Sequence, residues 1–509
     1  MSALALSVAI VLISFYWQGN KGFNLWDEGF LWYGVQRVLL GDVPIRDFMA
    51  YDPGRYYWVA TLVSLFGDSG IMSVRAAVAA FQALGLFVGV LLIAQTSSQR
   101  ERSGTLFLIV AALVLAVWMF PRHKLFDLSI SIFLVGVLTY LVTNPTPKRY
   151  FLAGACVGLI AVFGRNHGVY GVAASLGVIA WLSANGSSFS DFVRKVALWG
   201  CGLAFGFSPV MLMALLIPGF GAAFWASIQF LFDHKATNLP LPIPWPWTVK
   251  VASAAPGLLI RDVLVGMFFL GLLVFGALSL GWAIHRRLKR KTIPPALVAS
   301  AFLALPYAHY AFSRADVGHL AHGIFPMLLG CLAILSTLSA RYKWPLAILL
   351  CISSFWTMSA FHPGWNCAVT YQCTPVEVSG SRLEVDAGTA NDIAFLRDLD
   401  EQYAPDGRQF VVAPFWPGAY ALLERESPMW EIFALFPRSA SFEEKEIERI
   451  KAASPGFIFI FDLALDGRDA LRFRNTHPMT YQYVLDNFDP VSHAESPAYQ
   501  IFKSRGNGR

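Results

Sequence analysis

The stretch Trp26-Asp27-Glu28-Gly29-Phe30-Leu31-Trp32-Tyr33 places two adjacent acids among aromatic residues, just beyond an apolar first segment. Carboxylates are costly in hydrocarbon, so membrane sequences keep them where they face water or a functional cavity. The rest of the chain is built for lipid. Of its 509 residues 56% are hydrophobic and only 14% charged, and the mean hydropathy is +0.52. Soluble domains carry about 25% charged residues. The composition therefore describes a polytopic α-helical membrane protein with room for a separate soluble part. A net charge of +6 is too modest to indicate a nucleic-acid partner.

Apolar segments lie near 2–18, 70–94, 104–120, 125–142, 150–163, 168–183, 196–217, 257–284, 295–312, 318–339 and 344–361. At about twenty residues per crossing they predict about 11 transmembrane helices. Segments 150–163 and 168–183 are short, and Arg165, Asn166 and His167 separate them. They read as two spans joined by a tight polar turn, or else as one long broken helix. Basic residues mark alternate loops: Arg100 and Arg102, Lys148 and Arg149, Arg194 and Lys195, Arg286 to Lys291, and Arg341 and Lys343. Such loops face the cytoplasm. The N-terminus is then expected inside, as an uncleaved first span, and the C-terminal region outside.

The expected organisation is a membrane domain over 1–362, whose first outer loop covers about 18–69, and an extracytoplasmic α/β domain over 363–509. A second long outer loop holds the run Leu239-Pro240-Leu241-Pro242-Ile243-Pro244-Trp245-Pro246-Trp247, which prolines keep from being helical. In the C-terminal part, Ala390–Tyr403 reads as an amphipathic helix and Ser441–Ala453 as a helix opened by a Ser441/Glu444 capping box. Gln409–Ala413, Phe457–Phe461 and Ala498–Lys503 read as strands. Cys156, Cys201, Cys331 and Cys351 fall in predicted spans as small packing residues. The spacing of Cys367 and Cys373 permits a small disulfide loop in an oxidising compartment, with two free thiols as the alternative.

Apart from basic loop residues, the polar side chains gather on the expected outer side. Asp27, Glu28, Asp47 and Asp52 lie in the first loop; Arg122, His123, Lys124 and Asp127 form a cluster at the next outer turn. Arg165, Asn166 and His167 form another, Asp233, His234 and Lys235 sit in the proline-rich loop, and Arg314, Asp316 and His319 occupy a late turn. The positive-inside rule should deplete this face of cations. Arg122, Lys124, Arg165 and Arg314 are therefore candidate ligands for a phosphate, with headgroup contact or snorkelling as the bland reading. A carboxylate beside an acceptor hydroxyl can act as general base, and Asp27-Glu28 is the candidate pair. The bland reading is a solvated acid pair at the interface. There is no P-loop, dinucleotide fingerprint or GxSxG elbow, which argues against a soluble nucleotide-sugar donor.

The run from Trp26 to Trp58 resembles the first outer loop of the GT-C superfamily of membrane glycosyltransferases, in particular the protein O-mannosyltransferase and aminoarabinose transferase branch. The matching residues are Asp27-Glu28, Tyr33, Leu40-Gly41-Asp42-Val43-Pro44 with Asp47, and Tyr51-Asp52-Pro53-Gly54; Phe66-Gly67 and Arg75 also fit. The block Phe312–His319 resembles a late outer-turn motif of bacterial members. The resemblance implies an inverting transfer of a sugar from a polyprenyl-phosphate donor to a hydroxyl of a lipid, glycan or protein acceptor. It implies Asp27 as base and Glu28 as its helper. Arg122, Lys124, Arg165 and Arg314 would hold the donor phosphate. Asp47, Tyr51, Asp52, His123, His167, Asp316 and His319 are the expected substrate contacts. The setting implied is the bacterial cytoplasmic membrane. Some members use a divalent cation and others do not; Asp316, His319 and His322 are not spaced for one narrow helix face. The competing readings are a transporter or flippase for a lipid-linked glycan, a non-catalytic relative that binds a glycan lipid or a partner protein, and a glycan ligase without a first-loop base.

Overall fold

The computed structural model describes residues 2–96, 102–184, 188–234, 238–250, 255–370, 372–492 and 498–505. Arg100 and Lys235, used in the charge reading, lie outside these residues. The chain divides into two compact units: Met1–Gly19 with Arg75–Asn366, and Asn20–Val74 with Cys367–Arg509.

Every apolar segment of the sequence is helical. Among the described residues, six helices are long and apolar enough to cross a membrane: Ile71–Thr96, Arg122–Thr143, Phe189–Leu216, Pro256–Leu288, Pro295–Ser313 and Ala340–Phe361. The pair Val317–Gly323 and Phe325–Thr337, bent by 56°, makes a seventh if it is one span. Ala3–Gln18 and Gly104–Trp118 are shorter apolar helices. Helices Pro147–Phe163 and Arg165–Ser183 are separated by Gly164 alone, in extended conformation. They fold back on each other: a Cβ on Gly168 would stand 2.5 Å from Ala161 Cβ, and one on Gly171 2.9 Å from Val157. This is a helical hairpin, and Arg165, Asn166 and His167 form the first turn of its second helix.

Helix Pro147–Phe163 also packs tightly on helix Phe189–Leu216. Both carry a Gly-xxx-Gly pair, Gly154/Gly158 and Gly202/Gly206. A Cβ on Gly154, Gly158, Gly202 or Gly206 would lie 1.9, 2.2, 2.0 or 1.9 Å from a backbone carbonyl oxygen of the other helix. Apolar side chains gain little from meeting one another in lipid, so such small-residue contacts and the dispersion they permit hold helices together. Cys156 and Cys201, on these same helices, are exposed and do not pack inside as expected. The proline run is non-helical to Trp245, whose N–H donates to the Ile243 carbonyl (2.9 Å), and then makes a short 3₁₀ turn, Pro246–Thr248. It lies on helix Pro256–Leu288, where Gly266 leaves room for the Pro244 carbonyl.

In the second unit the first long loop folds with the C-terminal residues. Gly22 N donates to Glu384 O (2.7 Å), Glu384 N to Asn20 O (2.9 Å), Gly418 N to Leu25 O (2.9 Å) and Met49 N to Trp430 O (2.9 Å). Lys21 pairs with Glu384 at 3.3 Å. Strands β1 (Thr374–Val378) and β2 (Ser381–Val385) form an antiparallel hairpin. Strands β3 (Val411–Ala413), β4 (Phe457–Phe461), β5 (Phe488–Val491) and β6 (Tyr499–Ser504) form a second sheet in the order β3-β4-β6-β5. β3 and β4 are parallel, and the other pairs antiparallel. β4 is apolar throughout and buried along nearly its whole length, as a strand covered on both faces must be. Ile458, Ile460, Ile450, Phe473 and Phe502 form its core. Helix Ala440–Ala453 begins two residues earlier than the capping box predicted. Its N-cap is Ser439, whose hydroxyl bonds that of Ser441 and makes no cap. Cys367 and Cys373 are joined by a disulfide.

Candidate functional site

Asp27 and Glu28 occupy the first turn of helix Asp27–Leu39. The Asn24 carboxamide oxygen accepts from Trp26 N (2.8 Å) and Asp27 N (3.0 Å), which serves two of the amide donors that a helix start leaves orphaned. Acids in a first turn are favoured by the partial positive charge there. Successive residues point about 100° apart, and here the two acids differ: Glu28 is buried and Asp27 half-buried. Trp26 stacks flat on Phe415 at 4.6 Å, with Phe461 edge-on at 5.8 Å. Gly29 meets Gly418 backbone to backbone: a Cβ there would stand 2.4 Å from Gly418 Cα. These contacts fix where the helix starts and so where both acids point.

The other first-loop candidates lie in the same unit. Asp47 accepts from Arg46 Nε (2.7 Å) and Val43 N (2.8 Å), and the Arg46 hydrogen bond holds its carboxyl below the usual range against partial burial. Its charge is spent on shaping the loop. Tyr51 packs edge-on against Phe30 at 4.8 Å, under the Arg55 guanidinium at 4.9 Å. Asp52 is the buried N-cap of helix Pro53–Phe66. Tyr33 is buried, and its hydroxyl accepts from Ser427 N at 3.0 Å.

The remaining candidates belong to the first unit, and several converge there. Arg122, His123 and Lys124 form a 3₁₀ turn that runs into helix Leu125–Thr143. Arg122 (3.0 Å) and Arg75 (2.7 Å) both donate to the Gly19 carbonyl, at the end of the first helix. Cations are favourable at such a C-terminus. Asp127 and His167 are buried, and His167 Nε2 lies 2.7 Å from Asp127 Oδ1. His167 Nδ1 lies 2.7 Å from the hydroxyl of buried Tyr307. Arg165 donates to Ser227 Oγ at 2.7 Å and covers the Phe224 ring at 4.8 Å.

Arg314 bridges Asp316 (2.9 Å) and the Leu239 carbonyl (3.0 Å), which ties the late turn to the proline-rich loop. Asp316 also accepts from His319 N (2.8 Å) and stands 2.9 Å from His319 Nδ1. Burial opposes its ionisation, but the His319 hydrogen bonds and the Arg314 charge outweigh that and hold its carboxyl below the usual range. Tyr310 joins these groups, its ring centroid lying 5.5 Å from His167, 6.0 Å from His319 and 5.3 Å from His322. Buried His322 lies within electrostatic reach of His319, Asp127, Lys124 and His123.

No protein-family model and no curated protein sequence matches the chain. Solved structures do. ArnT from Cupriavidus metallidurans bound to undecaprenyl phosphate superposes with a TM-score of 0.59 at 14% identity, over 99% of this chain and 98% of that one. The apo state of the same protein gives 0.56 at 12% identity, over 98% and 97%. The apo oligosaccharyltransferase of Archaeoglobus fulgidus gives 0.49 at 12% identity, over 99% of this chain and 75% of that one. The chain has the GT-C fold.

Within this GT-C fold, the loop acids and the cations occupy separate compact units, each with its own hydrogen-bonding frame. In the first unit His167, His319 and His322 pack around Tyr310, and Asp127, Lys124 and His123 lie within electrostatic reach of His322. Arg165 and Arg314 instead anchor to Ser227 and to Asp316 with Leu239. The sequence reading missed Tyr307 and Tyr310, which looked like ordinary aromatics of an apolar span. Their three-residue spacing, repeated by His319 and His322, places each pair on one helix face and is the signal that would have found them. Among the described residues, no three His, Cys, Asp or Glu side chains are arranged to hold a metal ion.

Proposed function

We propose that this chain is an inverting glycosyltransferase that moves a sugar from a polyprenyl-phosphate donor to a hydroxyl of a lipid, glycan or protein acceptor. The observation that carries this reading is the split burial of an acid pair at one tightly fixed helix start, in a GT-C fold. The half-buried Asp27 carboxylate takes the proton of the acceptor hydroxyl as its oxygen attacks the anomeric carbon. The bond from that carbon to the phosphate oxygen breaks, and polyprenyl phosphate leaves with the electron pair. Attack opposite the leaving group inverts the anomeric configuration. Glu28 binds the acceptor or tunes Asp27. Arg122, Lys124, Arg165 and Arg314 balance the phosphate charge; comparable stabilisation is worth about 3–4 kcal/mol per donor in other enzymes.

The reaction is placed on the outer face of a bacterial cytoplasmic membrane. Basic loops set on alternate connections support a cytoplasmic N-terminus. The Cys367–Cys373 disulfide supports an oxidising compartment for the C-terminal part. A second reading, transport of a lipid-linked glycan, is favoured by the 56° break after Gly323, since transporters build sites at broken helices.

Purified protein incubated with labelled polyprenyl-phosphate sugars and envelope extract decides between them. The glycosyltransferase reading expects polyprenyl phosphate to be released in step with labelling of an acceptor. Labelling from nucleotide sugars alone, or movement of intact donor across vesicles without labelling, would overturn it.

A further inference from the structure

We infer that His322 donates a hydrogen bond to a phosphate oxygen of the polyprenyl carrier, a role that rests on the donor class proposed above. His322 lies near the end of helix Val317–Gly323, just before the 56° bend. It is 2% exposed, and neither Nδ1 nor Nε2 has a hydrogen-bond partner among the described residues. The other buried histidines among these residues are all served on both nitrogens. His167 has Asp127 and Tyr307, His362 has Gln18 and the Val117 carbonyl, and His477 has Glu431 and Thr476.

An imidazole always carries at least one N–H, and a buried polar group left unpaired is costly enough to require an explanation. The protein fixes the ring firmly even so. It stacks on Tyr310 at 5.3 Å and 21°, and His319 packs beside it at 5.3 Å. The fold thus orients a donor and leaves its partner to be supplied from outside the chain.

The surroundings select the chemistry of that partner. Lys124, His123 and His319 lie within electrostatic reach. Asp127, an acid within the same reach, already accepts from His167. An oxygen acceptor carrying negative charge fits this balance, and a cation does not. A phosphate group meets it, and the carrier presents one both before and after sugar transfer.

The test uses the full-length protein in detergent with undecaprenyl phosphate as probe. Wild type should bind it, and His322→Phe should bind about 10- to 100-fold more weakly, the loss expected for a hydrogen bond to a charged acceptor. His322→Gln, which keeps an N–H donor, should recover part of the affinity. Ring-¹⁵N-labelled histidine in wild type supplies a readout free of folding defects. The His322 signal, assigned by its absence from His322→Gln, should move with undecaprenyl phosphate and stay put with undecaprenol. Equal binding by wild type and His322→Phe, or an unmoved ring signal in lipid-bound wild type, would overturn the inference and leave the donor class standing. A wild type that binds no undecaprenyl phosphate would overturn both.

Discussion

His167 Nε2 lies 2.7 Å from Asp127 Oδ1, with both side chains buried and Tyr307 closing the other side of the ring at 2.7 Å. A buried pair loses heavily when one partner is removed, because the other is left desolvated and alone. Asp127→Ala should therefore cost about 3–5 kcal/mol. Tyr307→Phe, which removes one hydroxyl, should cost about 1–3 kcal/mol. Thermal unfolding in detergent checks the order. A Tyr307→Phe protein less stable than Asp127→Ala would show that the carboxylate is not the anchor.

The glycine contact between helices Pro147–Phe163 and Phe189–Leu216 makes a sharp contrast within one helix. Gly206→Val should abolish stable folding, since even a Cβ would meet the Ala155 carbonyl at 1.9 Å. Gly200→Ala should be neutral or stabilising by up to about 1 kcal/mol, because nothing lies within 4 Å of its Cβ and alanine is the better helix former. Yield of monodisperse protein reads both.

In the second unit, buried Glu431 accepts from His477 Nε2 (2.9 Å) and Arg438 (2.6 Å). Burial raises its pKa, but these partners outweigh burial and leave it lowered. Such a group stabilises fully above the ordinary glutamate value of about 4.3 and loses that contribution as pH falls through its lowered folded value. Glu431→Gln should flatten the acid limb of stability. Nearby Glu446 has the opposite sign, its pKa being raised by burial, so Glu446→Gln should relieve a cost at neutral pH. Hydrogen exchange of β3 and β4 amides against pH measures both. An unchanged acid limb in Glu431→Gln would refute the assignment.

Lys124 and Arg314 separate charge from architecture. Arg314 holds Asp316 and the Leu239 carbonyl, so Arg314→Ala should lower both stability and donor affinity. Lys124 sits in a half-buried 3₁₀ turn beside the late-turn histidines, so Lys124→Ala should raise the donor KM about tenfold and lower Tm less than Arg314→Ala does. A normal KM in Lys124→Ala would remove it from the phosphate site.

The helices were legible because an apolar run long enough for lipid is a local signal, and every such run proved helical. β4 was legible from Phe457-Ile458-Phe459-Ile460-Phe461, an apolar run far too short for a span and preceded by the breaker Pro455-Gly456. β1 and β5 were not, since Pro375 and Pro490 stand inside them and proline argues against strand except at hairpins and edges, where both lie. The joining of the first loop to the C-terminal residues could not be read either. Lys21 with Glu384 and Met49 with Trp430 are pairings of distant segments that no local pattern encodes. At the candidate site, the sequence named Asp127 and His167 as members of separate polar clusters; only the fold shows them bonded to each other.

The central claim is that Asp27 is the base for sugar transfer, and single-turnover transfer by Asp27→Asn measures it most directly. The account predicts a chemical step slowed by about two to four orders of magnitude, with donor binding and Tm retained. Transfer by Asp27→Asn at the wild-type rate would contradict it.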